Sequence, residues 1–96
     1  MFQIGTFYKC FEFSGYKELE DSLRDYCSKR KIKGTIILTP EGVNATVSSE
    51  RERSLEELNE FLNDSIGTIK FRFSISDISP FKRLKIKKRK ELVPSG

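Results

Sequence analysis

Histidine and tryptophan are absent from these 96 residues, and cysteine, methionine and proline occur only two, one and three times. Without histidine, the chain has no His-based acid–base group, no Ser–His or Cys–His nucleophile pair and no His-ligated metal site. Cys10 and Cys27 are too few for a four-cysteine zinc site and too far apart for a CxxC redox pair. We expect both to be small buried hydrophobic residues. The residues therefore predict neither a metal nor a cofactor.

Long hydrophobic runs are also missing. No apolar stretch approaches the ~20 residues that a transmembrane helix needs. Met1 leads into Phe2-Gln3-Ile4-Gly5 without the basic and apolar regions of a secretory signal. We therefore expect a cytoplasmic protein with reduced thiols. Eight Phe and three Tyr argue against intrinsic disorder, and the length fits one domain.

The net charge of +4 is unevenly distributed. Residues 1–80 carry 11 basic and 13 acidic side chains, whereas residues 81–96 carry seven basic side chains against Glu91 alone. Such a segment attracts polyanions, with nucleic acid phosphates the first choice and anionic lipid the second. Alternatively, the lysines protect a charged edge strand from aggregation. The seven cations are Lys82, Arg83, Lys85, Lys87, Lys88, Arg89 and Lys90.

Hydrophobic periodicity alternates between the repeat of strands and the repeat of helices. The predicted elements are a strand at 4–13, a helix from Tyr16 to about Lys31, a strand at 32–39, a turn at 40–42, a strand at 43–48, a helix that starts in a region of two possible capping boxes (49–52 and 54–57) and ends near 63–64, and a strand at 69–75. This β-α-β-β-α-β order predicts the ferredoxin-like α+β class, an antiparallel sheet with two helices on one face. Residues 1–80 form the predicted core. Residues 81–96 are predicted to be a basic edge strand or extended arm, followed by the start of a linker.

Alternation within the strands predicts which side chains face the helices. Inward residues are Phe7, Phe11 and Phe13 in the first strand, Val43, Ala45 and Val47 in the third, and Ile69, Phe71, Phe73 and Ile75 in the fourth. Tyr8 and Cys10 then face outward beside Asn44 and Thr46, joined by Lys70 and Arg72. A sheet face that is both aromatic and basic can stack bases and hold phosphates, although no RNP-type run of aromatics is present. The alternative interpretation, with equal support in the sequence, is that the C-terminal arm or another domain covers this face.

Catalysis by the domain itself has little support in the residues. An acylphosphatase needs an Arg in a Gly-rich loop after the first strand and an Asn that orients water. Asn44 fits the second role, but Ser14-Gly15-Tyr16-Lys17 contains no Arg and a single glycine. The glutamates around the second helix are typical of a solvated face paired with Arg51 and Arg53.

Three segments carry a resemblance to a known family. They are Phe7-Tyr8-Lys9, the hairpin at 39–47 (TPEGVNATV) and the basic segment at 80–93 (PFKRLKIKKRKELV). Together they resemble the N-terminal domain of the rhodanese-domain tRNA uridine hydroxylases. Members of that family carry out oxygen-dependent 5-hydroxylation of the tRNA wobble uridine, position 34. Pro40 departs mildly from the family pattern.

The resemblance implies an acylphosphatase-like accessory domain that helps bind or position tRNA, while a later rhodanese domain carries the catalytic cysteine. Neither Cys10 nor Cys27 matches that cysteine, so no catalytic residue is carried over. It further implies that Glu41, Gly42 and Asn44 form a motif loop facing the active site or the tRNA. The seven cations at 82–90 would contact tRNA phosphates or the rhodanese domain. The alternatives are a protein-docking module and a stand-alone acylphosphatase.

Overall fold

Two helices and five strands alternate along the chain in the computed structural model, which describes residues 1–51 and 53–89. In order they are β1 (Phe2–Cys10), α1 (Tyr16–Lys29), β2 (Lys33–Thr39), β3 (Gly42–Ser49), α2 (Ser54–Ile66), β4 (Arg72–Ser76) and β5 (Leu84–Lys88). The β-α-β-β-α-β order and the predicted ferredoxin-like class are confirmed. No helix in the described ranges is both long enough and apolar enough to cross a bilayer.

The five strands form one sheet in the order β4-β1-β3-β2-β5. Strand β1 pairs antiparallel with both β3 and β4, and β2 pairs antiparallel with β3. The antiparallel sheet predicted for the four core strands is confirmed, and β5 adds to it by pairing parallel with β2, which makes the five-stranded sheet mixed. The chain leaves β4 at one end of the sheet and crosses that end to the opposite edge. Strand β5 then starts from the same end as β2 and runs in the same direction. The segment predicted as a strand or an arm is thus a strand at residues 84–88.

Both helices pack on one face of this sheet and enclose the core. Strand residues that alternate toward the helices are buried there, and each helix contributes a stripe at helical spacing. The stripe of α1 buries Leu23 and Cys27, and the stripe of α2 buries Leu55, Leu58 and Leu62. The sheet contributes Phe7, Ile36, Leu38, Val43, Ala45, Val47 and Ile86.

Strand β4 is shorter and less buried than its sequence predicts. It begins at Arg72, and although Ile69 is buried, Phe73 and Ile75 remain 47% and 68% exposed. Both lie on the helix side, since they pair with Gly5 and Gln3 of β1. However, α1 packs over β2 and β5 and α2 packs over β3, so β4 lies at an uncovered edge. The inward direction predicted for Phe73 and Ile75 is confirmed, but neither side chain is buried.

The start of α2 also differs from the prediction. Neither proposed capping box caps it, because Arg53 precedes the helix in a left-handed conformation (φ 69°) and no side chain caps the N-terminus. Instead, the Ser54 hydroxyl donates to the carbonyl of Arg30 at 3.2 Å. The Ser49 hydroxyl accepts the N–H of Arg51 at 3.1 Å. Glu52 lies outside the described residues.

Candidate nucleic-acid interface

The side of the sheet opposite the helices, here called the open face, presents the other half of each strand's side chains. Its register is fixed by the pairing of β1 with β3 and β4 and of β2 with β3 and β5. One row across the sheet contains Tyr8, Asn44, Ile37 and Lys87. The neighbouring row contains Arg72, Thr6, Thr46, Thr35 and Lys85. Polar side chains in the middle of the sheet are therefore flanked by cations at both edges.

Charge is segregated between the two layers. None of the five strands contains an Asp or Glu, whereas each helix carries four. The open face consequently has four strand cations (Lys33, Arg72, Lys85 and Lys87) and no strand carboxylate. The nearest acidic side chains in sequence are in the connections, at Glu41, Glu50 and Asp77. This distribution favours an anionic partner over a cationic one.

The seven cations predicted to bind RNA do not share one surface. Lys85 and Lys87 lie on the open face, next to Thr35 and Ile37 of β2. Lys88 lies on the helix side, where its Nζ is 3.0 Å from a carboxylate oxygen of Glu20 in α1. Hydrogen bonds from Lys88 and Arg24 lower the pKa of Glu20, so this pair is an ionised contact between sheet and helix. Lys88 therefore lies on the opposite side of the sheet from Lys85 and Lys87, and its contact with RNA stays a prediction.

The start of β5 forms a hollow with the preceding turn. Lys82, Arg83 and Lys85 line it together with Thr35, Pro80 and Phe81, around a volume of about 530 Å³. The Arg83 carbonyl accepts the N–H of Gly34 at 3.1 Å, and the N–H of Arg89 donates to Leu38 at 3.0 Å. These backbone bonds hold both ends of the basic strand against β2. Lys90 lies outside the described residues.

Tyr8 stands near the other end of its row. It is 53% exposed, and its hydroxyl accepts a hydrogen bond from the thiol of Cys10 at 3.1 Å. That hydrogen bond, followed by burial, raises the pKa of Tyr8 above its usual value, so the phenol is neutral at physiological pH. A second hollow of about 620 Å³ lies beside it and is lined by Thr6, Phe7, Tyr8, Lys70, Phe71 and Arg72. The predicted grouping of Tyr8 with Lys70 and Arg72 is thus present.

The residues of the motif loop, Glu41, Gly42 and Asn44, differ in their structural roles. Gly42 has φ 141°, and a Cβ at this position would overlap the carbonyl oxygen of Lys9. The buried Thr39 hydroxyl closes the turn, accepting the N–H of Glu41 at 3.0 Å and donating to the carbonyl of Gly42 at 3.1 Å. Asn44 lies on the open face opposite Tyr8, while Glu41 is exposed at the turn. Of the three residues, only Asn44 belongs to the open face.

These features match a known family along most of the chain. Residues 2–92 match the UPF0176 acylphosphatase like domain. The chain belongs to this family. A curated relative, the tRNA uridine(34) hydroxylase of Ehrlichia chaffeensis, is 39% identical over 95 residues, which are 97% of this chain and 34% of the relative. The tRNA uridine(34) hydroxylase of Wolbachia pipientis wMel is 35% identical, over 99% of this chain and 35% of its own length.

The chain therefore spans about one third of the length of the curated relatives it matches. A solved structure, the acylphosphatase of Bacillus subtilis, superposes with a TM-score of 0.63 at 17% identity. The match covers 90% of this chain and 98% of that one. At this identity, the likeness supports the acylphosphatase-like fold alone.

In this member of the UPF0176 family, the loop after β1 is not built to hold a phosphate. The N–H groups of Phe11 and Phe13 donate to the hairpin carbonyls of Glu41 and Pro40, at 3.1 and 3.0 Å. No residue of the loop has positive φ, so the alternating conformation of an anion-binding nest is absent from residues 11–15. The loop also lacks Arg. Among the described residues, no group of three His, Cys, Asp or Glu is placed to hold a metal ion.

Two features of the family domain were missed in the sequence. Lys9, part of the Phe7-Tyr8-Lys9 segment, donates from Nζ to the carbonyl of Ile66 at 2.8 Å and so stabilises the end of α2. The open-face residues of β2, Lys33, Thr35 and Ile37, were not predicted, because no residue of this strand was assigned to a face of the sheet. The alternation of Lys33, Thr35 and Ile37 with Gly34, Ile36 and Leu38 was the available signal.

Proposed function

We propose that this chain is the tRNA-binding accessory domain of a tRNA uridine(34) hydroxylase. The names of its curated relatives support the substrate, and its coverage of about one third of them supports a role as one part of a larger enzyme. In this proposal, a rhodanese domain of the larger enzyme carries the oxygen-dependent oxidation. The substrate also implies a cytoplasmic location.

The observation that carries the proposal is the open face, which bears four strand cations and no strand carboxylate. Cations that neutralise phosphates release condensed counterions, and this release supplies most of the affinity of such a surface. If about four phosphates are neutralised on a single-stranded loop, log affinity should fall with log salt with a slope of about −3.

A titration of fluorescent tRNA with the chain at several salt concentrations measures this slope. Binding that weakens steeply with salt supports the proposal. An affinity that does not change with salt, or no binding at the lowest salt, would overturn it.

Charge reversal distinguishes tRNA binding at the open face from attraction by the net charge of the chain. Lys85→Glu with Lys87→Glu removes both cations of β5 from the open face and should abolish measurable binding. Lys17→Glu with Lys29→Glu changes the net charge by the same amount on the exposed side of α1 and should retain most of it. Equal losses in both double variants would show that net charge, not this face, attracts the tRNA.

A docking module is the second candidate, and one observation favours it. Phe73, Ile75 and Ile78 remain 47%, 68% and 74% exposed in and beyond the β4 edge, outside the core. Exposed apolar residues at an uncovered sheet edge are typical of a protein contact. Amide exchange in this chain and in one extended by the downstream domain tests the idea. Slower exchange in β4 on extension supports docking there, whereas slower exchange in β5 assigns docking to the basic strand instead.

A further inference from the structure

Tyr8 is an exposed aromatic residue on the cationic open face. Two aromatic residues of β1 lie on the open face. Phe2 is half-buried at the end of the sheet, where it lines a hollow with Ser48 and Ser79. Tyr8, by contrast, is 53% exposed. The only hydrogen bond that its side chain makes within the described residues is the one its hydroxyl accepts from Cys10, and its exposure leaves ring surface available to a ligand.

Cations stand on both sides of this ring. On the β4 side, Lys70 and Arg72 line the same hollow as Tyr8. On the other side, Lys87 lies three strands away in the same row, which is about 14 Å at the usual strand spacing. Between them, Asn44 and Ile37 continue the row. A chain of phosphates that runs from the hollow beside Tyr8 along this row passes the cations of the hollow, the ring and then Lys87.

The composition of the row distinguishes among anionic partners. A duplex keeps its bases stacked inside, so an exposed aromatic ring gains little from it, and duplex RNA is recognised by its shape and backbone. A single strand offers unstacked bases, which stack on aromatic side chains while a basic groove follows the backbone. Asn44 adds an amide that can donate to and accept from a base edge. The row therefore suits a single strand better than a duplex.

We propose that Tyr8 stacks on a base of a single-stranded RNA segment that crosses the open face from Arg72 to Lys87. This inference rests on the proposed function, since it names how the same surface holds the tRNA. The segment would be an unpaired loop of the tRNA, and the paired stems would contact the protein through phosphates only.

Substitution of Tyr8 tests the stacking. Loss of one stacked base costs between about fivefold and 150-fold in affinity. We expect Tyr8→Ala to weaken binding of a short oligouridylate within that range, and Tyr8→Phe to keep it within about twofold because the ring remains. Phe73→Ala is the matched control, an aromatic residue of similar exposure on the opposite side of the sheet. It should not change the affinity.

The two hypotheses fail in different ways. If Tyr8→Ala binds oligouridylate as well as the unsubstituted chain while the Lys85 and Lys87 reversal still abolishes binding, stacking is overturned and the proposed function stands. A duplex of the same length that binds as tightly as the single strand also overturns stacking. If neither the oligouridylate nor the duplex binds at low salt, the proposed function itself fails.

Cys10 provides a second measurement that needs no substitution. Its exposed thiol lies 3.1 Å from the Tyr8 hydroxyl on the open face, whereas Cys27 is buried in the core. As oligouridylate is added, the rate of Cys10 alkylation by iodoacetamide should fall in step with the rising fraction of chain that is bound. Unchanged alkylation at saturation would place the RNA on another surface. If only the extended chain protects Cys10, with no RNA added, a protein domain covers the face and the stacking inference is overturned.

Discussion

The two faces of the sheet are made by the same five strands but are opposite in chemistry. The covered face holds the apolar core and meets two helices that carry eight carboxylates between them. The open face carries threonines, Asn44, Tyr8 and cations, with no strand carboxylate. Even the basic strand β5 divides this way, since Lys88 pairs with Glu20 on the covered side while Lys85 and Lys87 remain on the open side.

This difference shows that a count of charges does not identify a binding surface. The strict two-residue repeat of a strand sends neighbouring lysines to opposite sides of the sheet. A lysine that meets a helix carboxylate is used in packing, and its neighbour remains available to a ligand. Substitutions on the covered face should therefore alter stability, and substitutions on the open face should alter binding.

The largest expected contrast between the faces is in thiol reactivity. Burial in the core raises the pKa of Cys27 to about 12, so almost none of it is thiolate at neutral pH. Because the thiolate is the nucleophile, iodoacetamide should alkylate Cys27 at least about a thousandfold more slowly than the exposed Cys10. Mass spectrometry of the tryptic peptides measures both rates. Both thiols should react at similar rates in guanidinium, and similar rates in the folded protein would contradict the packing of α1.

Next in size is the loss of a core side chain. Leu58→Ala leaves a cavity under α2 and should lower the free energy of unfolding by about 3 kcal/mol. Thr46→Ala, in the middle of the open face, should change it by less than about 1 kcal/mol. Urea denaturation compares the two. A loss at Thr46 as large as the loss at Leu58 would mean that another element covers the open face in solution.

A smaller effect is expected where the hairpin turn meets β1. Gly42→Ala introduces a Cβ against the Lys9 carbonyl at a φ that L-residues rarely adopt, and should cost about 2 kcal/mol. Gly15→Ala is the matched control, because its φ is −90° and the added Cβ meets only ordinary contacts. We expect a smaller loss there, below about 1 kcal/mol, because Gly15 is the N-cap of α1 and alanine is less favourable than glycine at that position. Equal thermal midpoints for the two variants would contradict a structural role for Gly42 in the motif loop.

The smallest expected effect concerns the ion pair between Lys88 and Glu20 on the covered face. Hydrogen bonds from Lys88 and Arg24 lower the pKa of Glu20, so its contribution to stability is present above pH 4.5 and is lost as the pH falls through the lower folded-state value. Glu20→Gln should lower the urea midpoint slightly at neutral pH and not at all in acid. Because solvent still reaches both side chains and screens the pair, the change should be close to the limit of detection. A loss that persists in acid would show that packing, not charge, is responsible.

Local pattern was enough to predict the order of the elements and most of the open face. Alternation placed Tyr8, Cys10, Asn44 and Thr46 together on the outward side, and the pairing of β1 with β3 confirms that placement. The same alternation placed Phe73 and Ile75 correctly on the helix side, but it reports which side a residue faces and not whether anything covers that side. The capping boxes failed for a related reason, since Ser54 finds the Arg30 carbonyl, a partner from another part of the chain.

The sequence by itself determined the fold class, the charge of the basic segment and the absence of histidine chemistry, because periodicity and composition are local properties of the chain. Only the tertiary structure decided that β5 pairs parallel with β2, that Lys88 meets Glu20, and that Lys9 holds the end of α2. Those contacts join residues distant in sequence, and they depend on which elements become neighbours when the sheet assembles. The open face exists for the same reason, because both helices pack on the opposite side of the sheet.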